Sequence, residues 1–230
     1  MAAIAFFDAD DTLLKGSSGV MLAKLLLIQK GERIEPKYAW ELLKIYFQSK
    51  VKAVKYDSIV EYGLGRFDGR SVAELDDVCR ECFDLYMAKS IYRGGYKEIR
   101  RHQQRGNRAV LLTASIKPLM NILGEYLGMD DVIATEPVVE DGFMTDNVEK
   151  PFCYGDGKRI LAQEYADRSG VLLKDCYFYS DSISDLPLLE AVGNPVATNP
   201  DRVLFATALL RNWRIAWFNR VLPVKSGVRL

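Results

Sequence analysis

Ile4-Ala5-Phe6-Phe7-Asp8-Ala9-Asp10-Asp11-Thr12 is the stretch on which the fold turns. A short apolar run stops abruptly at three carboxylates within four positions, Asp8 to Asp11. Such a run reads as a buried strand. Clustered acids repel one another. A fold keeps them together when a cation neutralises them, and hard oxygen ligands suit Mg²⁺. Asp8 and Asp10 stand one residue apart, so one can attack while the other handles a proton. An acidic turn or a helix N-cap would leave the same trace, since Asp is common at both.

Outward from this strand the pattern changes. From Ser17 to about Gln104, apolar residues recur at steps of three and four in Val20–Gln29, Tyr38–Phe47, Val51–Tyr62 and Val72–Met87. Gly31, Pro36, the segment 63–69 and Gly94-Gly95 punctuate these helices. Strands and helices then alternate. Strands are expected at Ala109–Leu112, Val132–Thr135, Cys176–Tyr179 and Pro195–Ala197, with a hairpin over Val138–Met144 turning at Glu140-Asp141-Gly142. Helices are expected at about Lys117–Leu127, Gly157–Ser169, Leu186–Val192 and Arg202–Arg211. This order predicts an α/β fold: a Rossmann-like parallel sheet core with helices on both faces and a helical cap inserted after the first strand. Residues 1–16 and 105–230 would form the core, and residues 17–104 the cap.

Sites in open parallel sheets form beyond the carboxyl ends of the strands. Besides the acidic run, two more strands end in polar residues. Thr113-Ala114-Ser115 offers hydroxyls and free backbone N–H groups that can hold phosphoryl oxygens, although Thr and Ser also cap helices. Ser180-Asp181-Ser182-Ile183-Ser184-Asp185 carries two further carboxylates that can complete a metal site, or simply cap the helix that follows. Lys158 opens the helix after Gly155-Asp156-Gly157 and would pair with Asp8 and a transferring phosphoryl group. Lys150 competes for that place, and Lys174 lies too close to the third strand.

Taken together, these motifs resemble the haloacid-dehalogenase-like superfamily in its phosphoserine-phosphatase-like branch, subfamily IB. Asp8-x-Asp10-x-Thr12, Thr113, Lys158 and the pair Asp181 and Asp185 stand in that family's order over essentially the whole chain. The resemblance implies a Mg²⁺-dependent phosphomonoester hydrolase acting on a small phosphorylated metabolite through an aspartyl-phosphate on Asp8. It assigns Asp10 as general acid and base. Asp8, Asp10 through its carbonyl, Asp181 and Asp185 would hold Mg²⁺. Thr113, Lys158 and the backbone near Asp11 and Ala114 would hold phosphoryl oxygens, with Thr12 and Ser115 beside them. Lys15, Ser17 and Arg66 are candidate substrate readers. Asp11 departs from the small or polar residue usual there. Near Ser17 a phosphoserine phosphatase typically carries a Glu. Phosphoserine phosphatase is the alternative within this class, and a non-catalytic binding or regulatory protein of the same fold is the alternative outside it.

Composition narrows the rest. Lys+Arg and Asp+Glu balance at 31 each, so nothing electrostatic points to nucleic acid. The start of the chain has no basic, cleavable leader, and Val20–Ile28 is broken by Lys24, so a cytoplasmic location is expected. After Asp201 there are no acids, and Arg202, Arg211, Arg214, Arg220, Lys225 and Arg229 lie among aromatic residues. That tail either finishes the sheet or touches an anionic membrane. The oligomeric state is not legible. Cys79 and Cys82 read as ordinary reduced thiols, His102 as surface, and the cap aromatics as packing that includes Phe67, Phe83, Tyr86 and Tyr92.

Overall fold

A computed structural model describes residues 3–30 and 67–223. The expected helices Tyr38–Phe47 and Val51–Tyr62, together with Arg66, Lys225 and Arg229, lie outside the described residues.

The elements follow in order: β1 (Ile4–Phe7), α1 (Ser18–Lys24), α2 (Val72–Cys82), α3 (Arg93–Gln104), β2 (Arg108–Ile116), α4 (Lys117–Leu127) and β3 (Asp131–Thr135). Then come β4 (Pro137–Glu140), β5 (Phe143–Val148), α5 (Asp156–Arg168), β6 (Tyr177–Ser180), α6 (Leu186–Ala191), β7 (Asn194–Thr198), α7 (Arg202–Leu210) and β8 (Arg214–Ala216). Six strands form one sheet in the order β3-β2-β1-β6-β7-β8, with every neighbouring pair parallel.

Alternation along the strands builds two cores. On β1, Ala5 and Phe7 face one side with Ile99 of α3 and Leu119, Met120 and Leu123 of α4. Ile4 and Phe6 face the other with Ala162 and Tyr165 of α5, Leu188 of α6 and Leu204 of α7. On β2, Ala109 and Leu111 join the first core and Val110 and Leu112 the second. This period of two places helices on both faces and buries the strands on both sides, which is the condition for a parallel sheet.

On the first face α2 packs beside α4 and α1 packs against α2, each of α1 and α2 ending in a wider π-helical turn (Leu25–Gln29 and Phe83–Met87). Ser71 and Glu74 cap α2 reciprocally. The β4–β5 hairpin, with Glu140 opposite Phe143, is tied to the start of α2 through Val72 N–H to Gly142 O at 3.1 Å and Met144 N–H to Arg70 O at 2.8 Å.

Three readings need correction. Gly94-Gly95 does not interrupt helices but opens α3, where the missing side chains admit neighbours: a Cβ on Gly95 would stand 2.6 Å from Leu13 Cδ2, and one on Gly94 would collide with the Phe218 ring. The strand expected at Ala109–Leu112 runs on to Ile116, because a register shift between Thr113 and Ile116 lets it keep pairing with β3. His102 is not a surface residue. It is 2% exposed, with Nε2 2.9 Å from Tyr179 Oη and Nδ1 3.0 Å from Asn107 Nδ2. The tail does finish the sheet, through β8 alongside β7.

Candidate active site

The carboxyl ends of β1, β2 and β6 meet at one edge of the sheet. Asp8 follows β1 directly, and its N–H donates to Tyr179 O of β6 at 2.9 Å, which ties the two strand ends together. Lys158, on the first turn of α5, sends its ammonium group between two carboxylates. Its Nζ donates to Asp8 Oδ1 at 2.7 Å and to Asp185 Oδ2 at 2.8 Å. Ser180 Oγ donates to the same Asp185 oxygen at 2.7 Å. All three members of the Asp8–Lys158–Asp185 bridge are buried, Lys158 to 3% exposure. The other Asp185 oxygen, Oδ1, is buried with no hydrogen-bond partner among the described residues.

Electrostatics set the character of this edge. Burial raises the Asp8 carboxyl to about 7 against the pull of Lys158. Asp181 is pushed up to about 9, by burial first and then by repulsion from Asp8, Asp185 and Asp11. Burial works against the Lys158 charge, but Asp185 and Asp8 outweigh it and hold its pKa well above the ordinary lysine value. Three acids thus face one cation, leaving a surplus of negative charge. Among the described residues, no three His, Cys, Asp or Glu side chains gather tightly enough to cage a metal ion by themselves.

Asp10 is turned toward the start of α1. Its Oδ1 accepts the Ser18 N–H at 2.9 Å, and its Oδ2 accepts Ser18 Oγ at 3.0 Å and Ser17 Oγ at 3.2 Å. Burial nevertheless raises the Asp10 pKa. Ser18 is fully buried and lies 2.8 Å from Ser115 Oγ, so it joins the first strand-end loop to the second. Sequence reasoning missed Ser18. A second serine after Gly16, at a helix start, looks like any cap, and only the closure of the 11–16 loop brings it to Asp10. That closure rests on Gly16 N–H donating to Asp11 Oδ1 at 2.9 Å, with Asp11 itself at φ +52°.

The other predicted positions divide. Thr113 is buried, and its Oγ1 accepts the Ser115 N–H at 3.3 Å, leaving its own proton free to donate. Thr12 is buried within 3.4 Å of Asp181 Oδ1. The Ala114 carbonyl accepts from Thr135 Oγ1 at 2.8 Å. The Asp11 carboxylate is spent on its own loop, and Ser17 serves Asp10. Lys150 lies over the Phe152 ring, 5.7 Å from its centroid. Among the cap aromatics, Phe67 and Phe83 are buried, whereas Tyr92 lies within electrostatic reach of the acids. Burial, then Asp11 and Asp181, raise the Tyr92 pKa.

Asn199 and Asp201 brace the site from outside. Asn199 Nδ2 donates to Asp11 O at 2.9 Å, while the Asp201 carboxylate accepts the Ile183 N–H at 2.9 Å and caps α7. The four cysteines are buried and free. Burial pushes the Cys79 and Cys82 thiols up to about 12, which makes them poor nucleophiles.

Comparison with known proteins bears on this arrangement. The sequence model of the haloacid dehalogenase-like hydrolases matches residues 5–190. A Mycobacterium tuberculosis protein named phosphoserine phosphatase SerB1 is 33% identical over 224 residues, covering 95% of this chain and 71% of that protein. A Bordetella pertussis protein of unknown function superposes with a TM-score of 0.84 at 28% identity, over 94% of this chain and 98% of that one. A phospho-aspartyl intermediate analogue of phosphoserine phosphatase superposes with a TM-score of 0.69 at 17% identity, over 96% and 95% of the two chains, which is a likeness of fold.

Proposed function

We propose, for a chain that belongs to the haloacid dehalogenase-like hydrolases, that it is a phosphatase that cleaves small phosphomonoesters by nucleophilic attack of Asp8. The observation that carries this reading is the Lys158 ammonium bridging Asp8 and Asp185, from residues 150 and 27 positions away in sequence.

The geometry supplies a role for each group. Lys158 holds Asp8 Oδ1, which leaves Oδ2 as the attacking atom. Asp8 would form a mixed anhydride with phosphorus and release the alcohol. Asp10, with its pKa raised, delivers the proton that alcohol needs, then accepts one from the water that hydrolyses the anhydride. Lys158 and the free Thr113 hydroxyl hold non-bridging oxygens of the phosphoryl group. The donor set at this edge fits Mg²⁺: the oxygens are all hard, negative charge is in surplus, and Asp185 Oδ1 is an orphan. Asp8, Asp181 and the Asp10 carbonyl would hold the ion, with Asp185 directly or through water. Mg²⁺ bound there supplies charge neutralisation between nucleophile and substrate.

We further infer a core of residues 1–16 and 105–230 with a cap of residues 17–104, of which α3 packs on the core strand β2. Substrate readers would come from the cap side of the site, where Tyr92 lies within electrostatic reach of Asp11 and Asp181. Ser17 donates to Asp10 where a phosphoserine enzyme typically has an amine-reading Glu, which favours another small phosphomonoester over phosphoserine.

Phosphate release should be measured with Mg²⁺ over a panel of sugar, amino-acid and nucleotide monophosphates, phosphoserine included. Turnover of at least one substrate, lost by about 10³-fold or more in Asp8→Asn, is expected. Release by Asp8→Asn at the wild-type rate would remove Asp8 from the chemistry, and silence of the wild type across the panel would favour a non-catalytic protein of this fold.

A further inference from the structure

The outer face of α7 breaks the rule for a surface helix. Leu204 and Ala208 are buried against the sheet, as an amphipathic helix requires. Yet the exposed positions between Arg202 and Arg211 are Val203, Phe205, Ala206, Leu209 and Leu210, none of them polar. Leu209 is 61% exposed and Leu210 88%. Trp217, just after β8 and 62% exposed, extends the patch, with its ring 6.1 Å from that of Phe205. A helix with only Arg202 and Thr207 polar is normally covered, and an exposed apolar patch of this kind marks a docking surface.

Charge selects the occupant. From residue 202 to the last residue of the sequence there are six basic side chains and no acidic one. Arg211 pairs with Glu190 and Arg214 with Glu98, but Arg202 and Arg220 have no carboxylate partner among the described residues. A second copy docked through this face about a twofold axis would set these cations against one another. An anionic lipid surface takes both features at once: leucines enter the acyl boundary, tryptophan prefers the interface, and arginines meet headgroup phosphates. No described helix is long and apolar enough to cross a membrane, so contact would be peripheral.

We propose that α7 and the segment from Arg214 to Arg220 form a docking face for an anionic bilayer surface. The face adjoins the candidate active site. Asp201, which caps α7, donates its N–H to Asp181 O at 2.7 Å, so docking and site share one loop.

The test is co-sedimentation of the full chain with phosphatidylcholine vesicles with and without phosphatidylglycerol, at low and high salt. Wild type should pellet with the anionic vesicles, less so in salt, and remain in solution with neutral ones. Leu209→Glu/Leu210→Glu should partition about tenfold more weakly or worse, and Arg202→Gln/Arg220→Gln by a smaller factor. Both variants should keep the wild-type circular dichroism and thermal midpoint, which separates docking from folding. Wild type left in the supernatant, equal pelleting with both vesicle types, or unchanged partition of the leucine variant would overturn the proposal. So would a wild-type dimer in sedimentation equilibrium that the leucine variant dissociates, since that assigns the face to a second copy.

Discussion

Asp10 is the residue at which fold and chemistry compete. Its carboxylate is drawn toward α1 by Ser17 and Ser18, while burial keeps a proton on it more readily than on a surface acid. If Ser18 positions Asp10 for proton delivery, its loss should slow formation of the acyl phosphate only where the leaving group needs a proton, whereas hydrolysis of that intermediate, which also draws on Asp10, is common to all substrates. Ser18→Ala is expected to lower kcat/KM, which reports the first step, on an alkyl phosphomonoester by about 10- to 100-fold. On p-nitrophenyl phosphate, whose phenolate leaves unprotonated, kcat/KM should change little. Equal losses on both substrates would reduce Ser18 to a packing role. At this scale the sequence was legible in placement: Asp8 and Asp181 directly follow β1 and β6, Asp185 stands at the N-cap of α6 and Lys158 on the first turn of α5, with the expected contact between Lys158 and Asp8, whereas Thr113 lies inside β2 and not at its end. Ser18 was not legible, because its contact with Asp10 depends on loop closure, not on spacing.

At the scale of elements, α3 shows what periodicity hides. A glycine pair looked like punctuation, whereas the helix needs both glycines to approach Leu13 and Phe218. His102, near its end, looked like a polar helix terminus. It lies instead under the sheet, in a network that runs through Tyr179 Oη to Glu98 Oε2 at 3.1 Å and on to Arg214 Nη2 at 2.9 Å. Tyr179 also stacks on Phe7, with centroids 4.5 Å apart. The polar sequence Arg100-Arg101-His102-Gln103 carries no sign of that network, since Tyr179 and Arg214 come from β6 and β8. Burial pushes the His102 pKa down to about 4. The unfolded chain therefore binds that proton more readily, so the stability tied to neutral His102 is full above about pH 6.5 and is lost as pH falls through about 4. His102→Gln is expected to be less stable than wild type at neutral pH, by about 1–3 kcal/mol. Its urea midpoint should fall less than wild type's between about pH 7 and pH 4. Parallel declines of the two proteins would show that His102 is not what titrates.

The whole molecule was legible in its class and less so in its order. Five short apolar strands alternating with helices point to a parallel sheet, and that much follows from apolar runs and periodicity. Which strand is central does not, because β1 takes its neighbours β2 and β6 from more than 100 residues away. The arrangement gathers a surplus of buried negative charge at one edge, and this has a cost. Asp181, with its pKa raised to about 9, destabilises the fold increasingly as pH rises from about 4 toward 9. Mg²⁺ should therefore raise the thermal midpoint of the wild type at about pH 8, and a chelator should reverse the rise. Asp181→Asn should be more stable than wild type without metal, by about 2 °C or more, and should respond weakly to Mg²⁺. A wild-type midpoint indifferent to Mg²⁺ would leave the surplus charge unexplained.

The central claim is that residue 8 carries the phosphoryl group during turnover. Borohydride quenching of the working enzyme, followed by peptide mass spectrometry, reads this directly, because reduction of an aspartyl-phosphate leaves homoserine. Homoserine at position 8, seen only while a phosphomonoester is being hydrolysed and not with unphosphorylated alcohol, is the expected result. Steady hydrolysis with an unmodified Asp8, or with the label on another residue, would contradict it.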